Sequence, residues 1–235
     1  EENSIEPEVV VNESPVKWCA VALSDVVARG KRLEASVFDV EAKQAYMLLT
    51  HGKYPAVNLI SKNGPVEKAY YGGRLKRHYV DETEPGAVGF LGSSEMLDCK
   101  PEPVKFMLND VKTTDVRVKQ GVVLISRSGT IGNVTYVGNT LSKFFVSEHA
   151  IRIECKDFPG YVYAFLKTKI GKLIVCSTQY GAVIQEIEPE HLATVPIPDA
   201  PTMLKKKIHD LIVRSYELRD ESNDLIDQAT ALLIG

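Results

Sequence analysis

The most regular hydrophobic pattern in the chain follows Pro201 and runs to its end. Apolar or small residues return every three or four positions, as in the heptad repeat of a coiled coil. Pro201 suits a first helical turn, where its missing N–H is not needed, and no glycine or proline interrupts the pattern before Gly235. The pattern predicts one helix over residues 201–235, about 50 Å long at roughly 1.5 Å per residue. The seam positions are Leu204, Ile208, Leu211, Ser215, Leu218, Ser222, Leu225, Ala229 and Leu232.

This apolar stripe is wider than a two-stranded coiled coil requires, because Ile212, Ile226 and Leu233 lie next to the seam. One interpretation is a terminal helix docked on the chain's own core, which is the commoner fate of an amphipathic helix. The other is a helix that pairs with a second helix. The stripe is wide enough for both, with one side for each. The residues predicted to make helix-pairing contacts are Leu204, Ile208, Leu211, Leu218, Leu225 and Leu232.

Shorter apolar runs of a different kind precede this helix. Runs rich in β-branched and aromatic residues, bounded by turn residues, predict strands, and residues 122–126 are the clearest case. Residues 161–174 have helical spacing, and Pro196, Pro198 and Pro201 predict a stiff linker before the final helix. Further strands are predicted at residues 53–60, 86–91, 134–137, 144–146 and 150–153.

These elements predict an α/β fold of the α+β type, with a mixed-sheet domain followed by a long coiled-coil helix. The domain is expected over residues 16–200 and the helix over residues 201–235. Residues 1–15 are acidic, with five glutamates and no lysine or arginine, and are predicted to form a tail. A chain of 235 residues is long enough for one large domain or two small ones.

The composition is that of an ordinary globular protein, with a net charge of −3. No apolar run approaches the length of a membrane span, so no membrane partner is expected. The four cysteines are far apart and form no C-x-x-C pair. This spacing favours reduced thiols in a cytoplasmic protein over a disulfide framework or a zinc site.

Positive charge is concentrated in residues 62–79, where five lysines and arginines accompany a single glutamate. A local basic stretch in an acidic protein indicates a phosphate-binding surface. Residues 126–130 add a cation and hydroxyls at the end of a predicted strand. A solvated hairpin and a simple turn are the competing interpretations of the two segments. The residues predicted to contact DNA are Arg74, Lys76, Arg77, Tyr79, Arg127, Ser128 and Thr130.

Motifs for catalysis are absent from the sequence. There is no phosphate-binding loop, no dinucleotide fingerprint and no zinc-protease motif, and the five histidines lack metal-ligand spacing. Ser147, Glu148 and His149 are consecutive, but neighbours on a strand point to opposite faces, which makes a poor triad. We therefore expect a protein without catalytic activity, cofactor or metal.

A series of loose motifs also follows in order from Gly121. They are residues 121–126 (GVVLIS), 128–132 (SGTIG), 145–153 (FVSEHAIRI), 160–166 (GYVYAFL), Tyr180-Gly181 with Gln185, and 187–198 (IEPEHLATVPIP). Together with the opening residues 16–23 and the closing helix, this order resembles the target-recognition domain of the specificity (S) subunit of Type I restriction-modification systems. Residues 30–115 carry little of the resemblance, as expected if they form the variable part that reads sequence.

The resemblance implies double-stranded DNA as a ligand, with methyltransferase and restriction subunits as partners that perform the catalysis. S subunits carry two recognition domains, each followed by a long helix, and the two helices pair antiparallel. This chain has one of each, so its helix would pair with a second recognition half or with another copy of itself. Two alternatives remain open: the recognition region of a fused restriction-methyltransferase, and a protein-interaction module that acts through its helix.

Overall fold

The computed structural model describes residues 20–28, 33, 35–181 and 183–234. The predicted acidic tail and residues 16–19 lie outside the described residues. The helices are α1 (Leu23–Ala28), α2 (Val40–Thr50), α3 (Asn139–Ser142), α4 (Pro159–Lys167), α5 (Lys169–Cys176), α6 (Pro189–Leu192) and α7 (Thr202–Ile234), with 3-10 turns at Ala35–Phe38, Glu95–Leu97 and Val111–Val116. Among those residues, every helix is either too short or too polar to span a membrane.

In the part of the chain that the structure describes, ten strands form two four-stranded sheets and one two-stranded sheet. They are β1 (Ala56–Asn58), β2 (Val66–Tyr71), β3 (Tyr79–Val80), β4 (Ala87–Leu91), β5 (Phe106–Leu108), β6 (Val123–Ser126), β7 (Val134–Tyr136), β8 (Phe145–Val146), β9 (Ala150–Cys155) and β10 (Pro196–Pro198). The first sheet has the order β2-β9-β6-β7 and is antiparallel throughout. The second has the order β3-β5-β4-β8, and its β4–β8 pair is parallel. The mixed α/β fold with a long terminal helix is thus confirmed.

The two faces of the first sheet pack against different partners. Val123 and Ile125 of β6 belong to the main core, which also contains the apolar faces of α4 and α5. Leu124, which lies between them, belongs to a second cluster that includes residues of the other four-stranded sheet. Because side chains alternate along a strand, the two faces of β6 belong to two different clusters, and this short strand connects them.

Helix α7 docks on the domain through its first half. Leu204, Ile208 and Ile212 pack against the main core, and Tyr216 is buried in it. The Tyr216 hydroxyl accepts a hydrogen bond from the backbone N–H of Tyr136 at 3.1 Å. Further along, Asp220 accepts hydrogen bonds from the first backbone N–H groups of α3. The docked face thus continues through polar side chains that bond to the domain's backbone.

Two predicted elements differ from the structure. The helical stretch at residues 161–174 is divided into α4 and α5, because the Thr168 side chain accepts a hydrogen bond from the N–H of Gly171 and caps a new helix. The predicted proline linker is partly a strand, since Pro196–Pro198 pairs with β1. Prolines are tolerated there because a two-stranded sheet consists only of edge strands.

Candidate nucleic-acid interface

The two segments predicted to contact DNA leave the first sheet at the same end. Strand β2 ends at Tyr71, which pairs with Ile151 near the start of β9. Strand β6 ends at Ser126, which pairs with Ala150 of the same strand. The residues that follow β2 and β6 therefore meet the residues that precede β9 at this end of the sheet.

The first segment, residues 72–79, is held to the domain through Arg77. Its Nη2 donates to both carboxylate oxygens of Glu148 at 2.8 Å. The guanidinium also lies 5.1 Å from the centre of the Phe90 ring. Charge-assisted hydrogen bonds and ring stacking both favour a fixed guanidinium orientation. Arg77 thus anchors the segment at the point where it enters β3.

The other predicted residues of this segment are at the surface. Arg74 and Lys76 are exposed, and neither forms an ion pair with any residue that the structure describes. Tyr79 is 44% exposed, with its ring against Phe90 and the Lys105 ammonium 5.6 Å from its centre. Positive charge is therefore presented outward on a segment whose end is fixed.

The second segment, residues 126–132, is a tight turn whose polar groups bond within the chain. Gly129 and Gly132 have φ angles of 74° and 76°, a region that glycine enters without strain. The Ser128 Oγ lies 2.8 Å from His149 Nδ1. The Thr130 hydroxyl donates to Ser126 Oγ at 3.2 Å. The Thr130 hydroxyl thus closes the turn, and the Ser128 hydroxyl joins the turn to the residues before β9.

Arg127 lies in the interior beside this turn and is only 3% exposed. Its Nη2 donates to Glu186 Oε2 at 2.7 Å and to Glu188 Oε1 at 2.6 Å, and the guanidinium lies 4.9 Å from the centre of the Tyr71 ring. The Tyr180 hydroxyl donates to the same oxygen of Glu188. Arg127 therefore fastens the segment from Tyr180 to Glu188 onto the end of β6, away from the solvent that a DNA contact would need.

The pKa values follow from these pairs. Burial acts to lower the pKa of Arg127, but hydrogen bonding to Glu188 and attraction by both glutamates outweigh it and raise the pKa. Burial acts to raise the pKa of Glu188, but hydrogen bonds from Arg127 and Tyr180 hold it below its usual value. The same balance lowers the pKa of Glu148 beside Arg77. All three groups are charged at neutral pH.

The structure brings the two predicted segments together through residues that the sequence did not single out for DNA contact. Glu148 holds Arg77 and is followed by His149, which meets Ser128. The backbone N–H of Arg127 donates to the carbonyl of His149 at 2.8 Å. Residues 148–149 thus connect residues 72–79 to residues 126–132. The signal for this role was present in the sequence, as charged and polar residues placed just before an apolar strand.

The predicted helix-pairing residues divide into two groups. Leu204 and Ile208 are partly buried against the chain's own core. The other four leucines are exposed: Leu211 by 63%, Leu218 by 48%, Leu225 by 57% and Leu232 by 86%. Ile226 and Leu233, which lie nearby, are exposed as well. Spaced seven residues apart, these leucines form a stripe along one side of α7, which we call the exposed stripe. Its direction differs from that of Tyr216 and Asn223, which face the domain.

No site for a metal is formed by the described residues, in which histidine, cysteine and carboxylate side chains nowhere gather in threes around a common point.

Comparison with known proteins gives structural likenesses alone. No protein-family model matches the chain, and no curated protein matches its sequence. Its fold is similar to that of the type IIG restriction endonuclease BpuSI, with 11% sequence identity and a TM-score of 0.52 over 75% of this chain and 28% of that one. This likeness shows a shared fold.

Two solved S subunits also match at lower scores. The Type I restriction-modification S subunit of M. genitalium has 15% identity and a TM-score of 0.46 over 69% of this chain and 38% of that one. The HsdS subunit of Thermoanaerobacter tengcongensis has 14% identity and a TM-score of 0.48 over 84% of this chain and 48% of that one. S subunits are thus among the matching structures. The chain spans less than half of either subunit.

Proposed function

We propose that the chain is a DNA-recognition module of a restriction-modification system, which reads one half-site and leaves catalysis to other subunits. The observation that supports this most is the arrangement of residues 72–79. Arg77 is fixed by Glu148, while Arg74 and Lys76 extend outward without an ion-pair partner among the described residues. Fixed segments with outward cations suit DNA, because phosphate contacts set the position from which other side chains read base edges.

In this proposal Arg74 and Lys76 contact phosphates, and Tyr79 lies at the border of the contact. Arg127, Ser128 and Thr130 remain predicted contacts from the sequence, but their bonds within the chain support a different role. They hold the turn and the segment up to Glu188 in the shape that the DNA meets. In this proposal the cations at this end of the sheet have two roles: some hold the segments in position, and others bind DNA.

Binding to duplex DNA is the first test of this function. Anisotropy titrations of a labelled random duplex at several salt concentrations should show binding that weakens as salt rises. The same protein, supplied with plasmid, magnesium, ATP and S-adenosylmethionine, should neither cleave nor methylate it. Binding that is absent even at low salt would refute the recognition role, and cleavage or methylation by a pure sample would refute the division of labour.

We further propose that the exposed stripe of α7 pairs with the corresponding helix of a second recognition half or of another copy of the chain. Leu211, Leu218 and Leu225 expose apolar area at heptad spacing, the arrangement that a coiled coil buries. Ser215 and Ser222 lie between them and leave room for close approach of a partner helix. The methyltransferase and restriction subunits are expected to join the assembled complex, in the cytoplasm.

The paired charge variant Leu211→Asp/Leu218→Asp tests the helix proposal. We expect it to abolish self-association in sedimentation experiments, because each aspartate would be buried opposite an apolar residue. At a protein concentration where the parent is monomeric, its unfolding midpoint should stay close to that of the parent, since both leucines are exposed in the single chain. The matched control is Lys206→Asp/Arg214→Asp, on other exposed positions of the same helix. Identical sedimentation of parent and variant as folded monomers would refute pairing between copies of the chain, and only a second recognition half would then be left as a partner.

The likeness to BpuSI favours a second candidate, the recognition region of a larger restriction endonuclease. The chain would then be one part of a polypeptide that also carries catalytic domains. Both candidates predict DNA binding by residues 72–79. They differ in the gene that encodes the chain, since the second requires methyltransferase motifs in the same reading frame.

A further inference from the structure

A cavity of about 580 Å³ opens at the end of β2, beside the segment that carries Arg74 and Lys76. The side chains that give it its character are Tyr70, Tyr71, Asp115, Arg117, Lys119 and Arg152. Three of these are cations and one is a carboxylate. A second cavity, of about 590 Å³ between β7 and α7, has the opposite charge, with Glu217, Asp220, Glu221 and Asp224 in its lining. The positive charge therefore distinguishes the first cavity from the second.

Arg152 is the unusual group in this lining, because it is charged and only 1% exposed. Its Nη1 donates to the carbonyl of Ala150, and its Nη2 donates to the carbonyls of Val116 and Val146 at 3.2 and 2.7 Å. These bonds join the two four-stranded sheets, since Arg152 lies in β9 and Val146 in β8. All the acceptors are neutral, so they satisfy donors but do not neutralise the guanidinium.

The charge of Arg152 has no direct counterion among the described residues. Its Nε has no hydrogen-bond partner, and the carboxylates of Asp115 and Glu148 act on it only through space. Glu148 is also engaged by Arg77. Burial lowers the pKa of Arg152 from that of an ordinary arginine. Since a buried charge without a counterion is costly, an anion that enters the cavity would relieve an unfavourable arrangement.

Two more cations lie at the mouth of the cavity. Arg117 and Lys119 are exposed, and neither is in an ion pair within the part of the chain that the structure describes. The Arg117 guanidinium lies 5.3 Å from the centre of the Phe145 ring, which limits its orientations. A stacked arginine and a flexible lysine together can bind an anion that approaches from solvent.

We propose that this cavity is a binding site for a phosphate group, bound by Arg117 and Lys119 at the mouth and attracted by the charge of Arg152 in the wall. The phosphate can be free in solution or part of a DNA backbone. The inference rests on the charges of the cavity and not on the DNA-reading role, because free phosphate can be tested with the chain alone. If DNA supplies the phosphate, the contact continues from residues 72–79 into the cavity.

The test is a titration of the chain with sodium phosphate at constant ionic strength, observed by NMR of arginine side chains. The Nε–H signal of Arg152, assigned through its backbone, should move saturably with phosphate and not with chloride. Arg117→Ala and Lys119→Ala should each raise the midpoint at least about threefold, because each removes a charge-assisted contact. Lys167→Ala, a change to an exposed lysine of α4, should leave the midpoint unchanged.

The proposal would be overturned if phosphate moved the Arg152 signal no more than chloride does. It would also be overturned if the phosphate midpoints of Arg117→Ala and Lys119→Ala equalled those of the parent and of Lys167→Ala. Because the substituted residues are exposed, the variants should fold like the parent, and the same spectra check this. A short duplex distinguishes the two sources. If the duplex competes with free phosphate for the Arg152 signal, the backbone is the ligand; if it does not, the site binds free phosphate. Failure of DNA to bind anywhere would leave the phosphate result standing.

Discussion

The two segments at this end of the first sheet both combine glycines with arginine, but they differ in where their polar groups are directed. In residues 126–132, Arg127 is paired with two glutamates, and Ser128 and Thr130 bond to neighbours within the domain. In residues 72–79, Arg77 is paired with Glu148, while Arg74 and Lys76 remain at the surface. Residue type alone therefore does not distinguish a cation that holds segments of the fold together from one that stays at the surface. The presence of nearby carboxylates does.

The largest effect should come from Arg127→Ala. The change leaves Glu186 and Glu188 without their shared partner and removes the guanidinium from the Tyr71 ring. We expect the free energy of unfolding to fall by about 2–4 kcal/mol, since one member of a largely buried ion pair is lost. Chemical denaturation measures it.

Arg214→Ala is the control for Arg127→Ala, because Arg214 pairs with Glu217 on the exposed side of α7. It should change stability by less than about 0.5 kcal/mol. Equal losses in the two variants would show that Arg127 does not hold the domain together.

A smaller loss of stability is expected for Arg77→Ala. Both oxygens of Glu148 lose a hydrogen bond, but the Arg77 side chain is 34% exposed, so water replaces part of the interaction. The expected loss is about 1 kcal/mol. Lys206→Ala, which breaks the exposed pair with Asp210, is the matched control. If Arg77→Ala unfolds like this control, the anchor at the entry to β3 has no energetic basis.

The smallest effect concerns acid stability through Glu188. Hydrogen bonds from Arg127 and Tyr180 outweigh burial and lower its folded-state pKa below the ordinary value of 4.5. The unfolded chain therefore binds more protons in that range, so the stabilisation is complete above about pH 4.5 and is lost as pH falls through the folded pKa. Glu188→Gln should flatten the dependence of unfolding free energy on pH below 4.5 and leave its slope near pH 7 unchanged. An unaltered acid slope would contradict the pairing.

The sequence predicted elements whose signals are local. Strands β6 and β9 follow from β-branched runs, and α7 follows from its seam. Strand β2 was missed because its residues, VEKAYY, are charged and aromatic, and it becomes a strand only by pairing with β9, which lies about eighty residues further along the chain. Helix α2 was missed because its apolar positions do not keep one face: Tyr46, Met47 and Leu48 are all exposed.

The candidate site was predictable only in part, for a similar reason. The basic character of residues 62–79 is visible in the sequence. The partners of Arg127, however, are Glu186 and Glu188, which only the fold brings to it. In α7 the spacing predicted a stripe but not the direction of the domain. The domain is met by Tyr216, Asp220 and Asn223, whose polar groups bond to backbone atoms of distant segments.

The most direct test of the comparison is the salt dependence of duplex binding by Arg74→Ala/Lys76→Ala, measured beside Arg127→Lys. If Arg74 and Lys76 contact phosphates, the double variant should bind all duplexes more weakly and reduce the slope of log K against log salt by about two, one for each lost contact. Arg127→Lys, which keeps its charge in the interior, should retain the parent slope whatever its stability. A parent-like slope in the double variant, or a reduced slope in Arg127→Lys alone, would contradict the assignment of binding to residues 72–79.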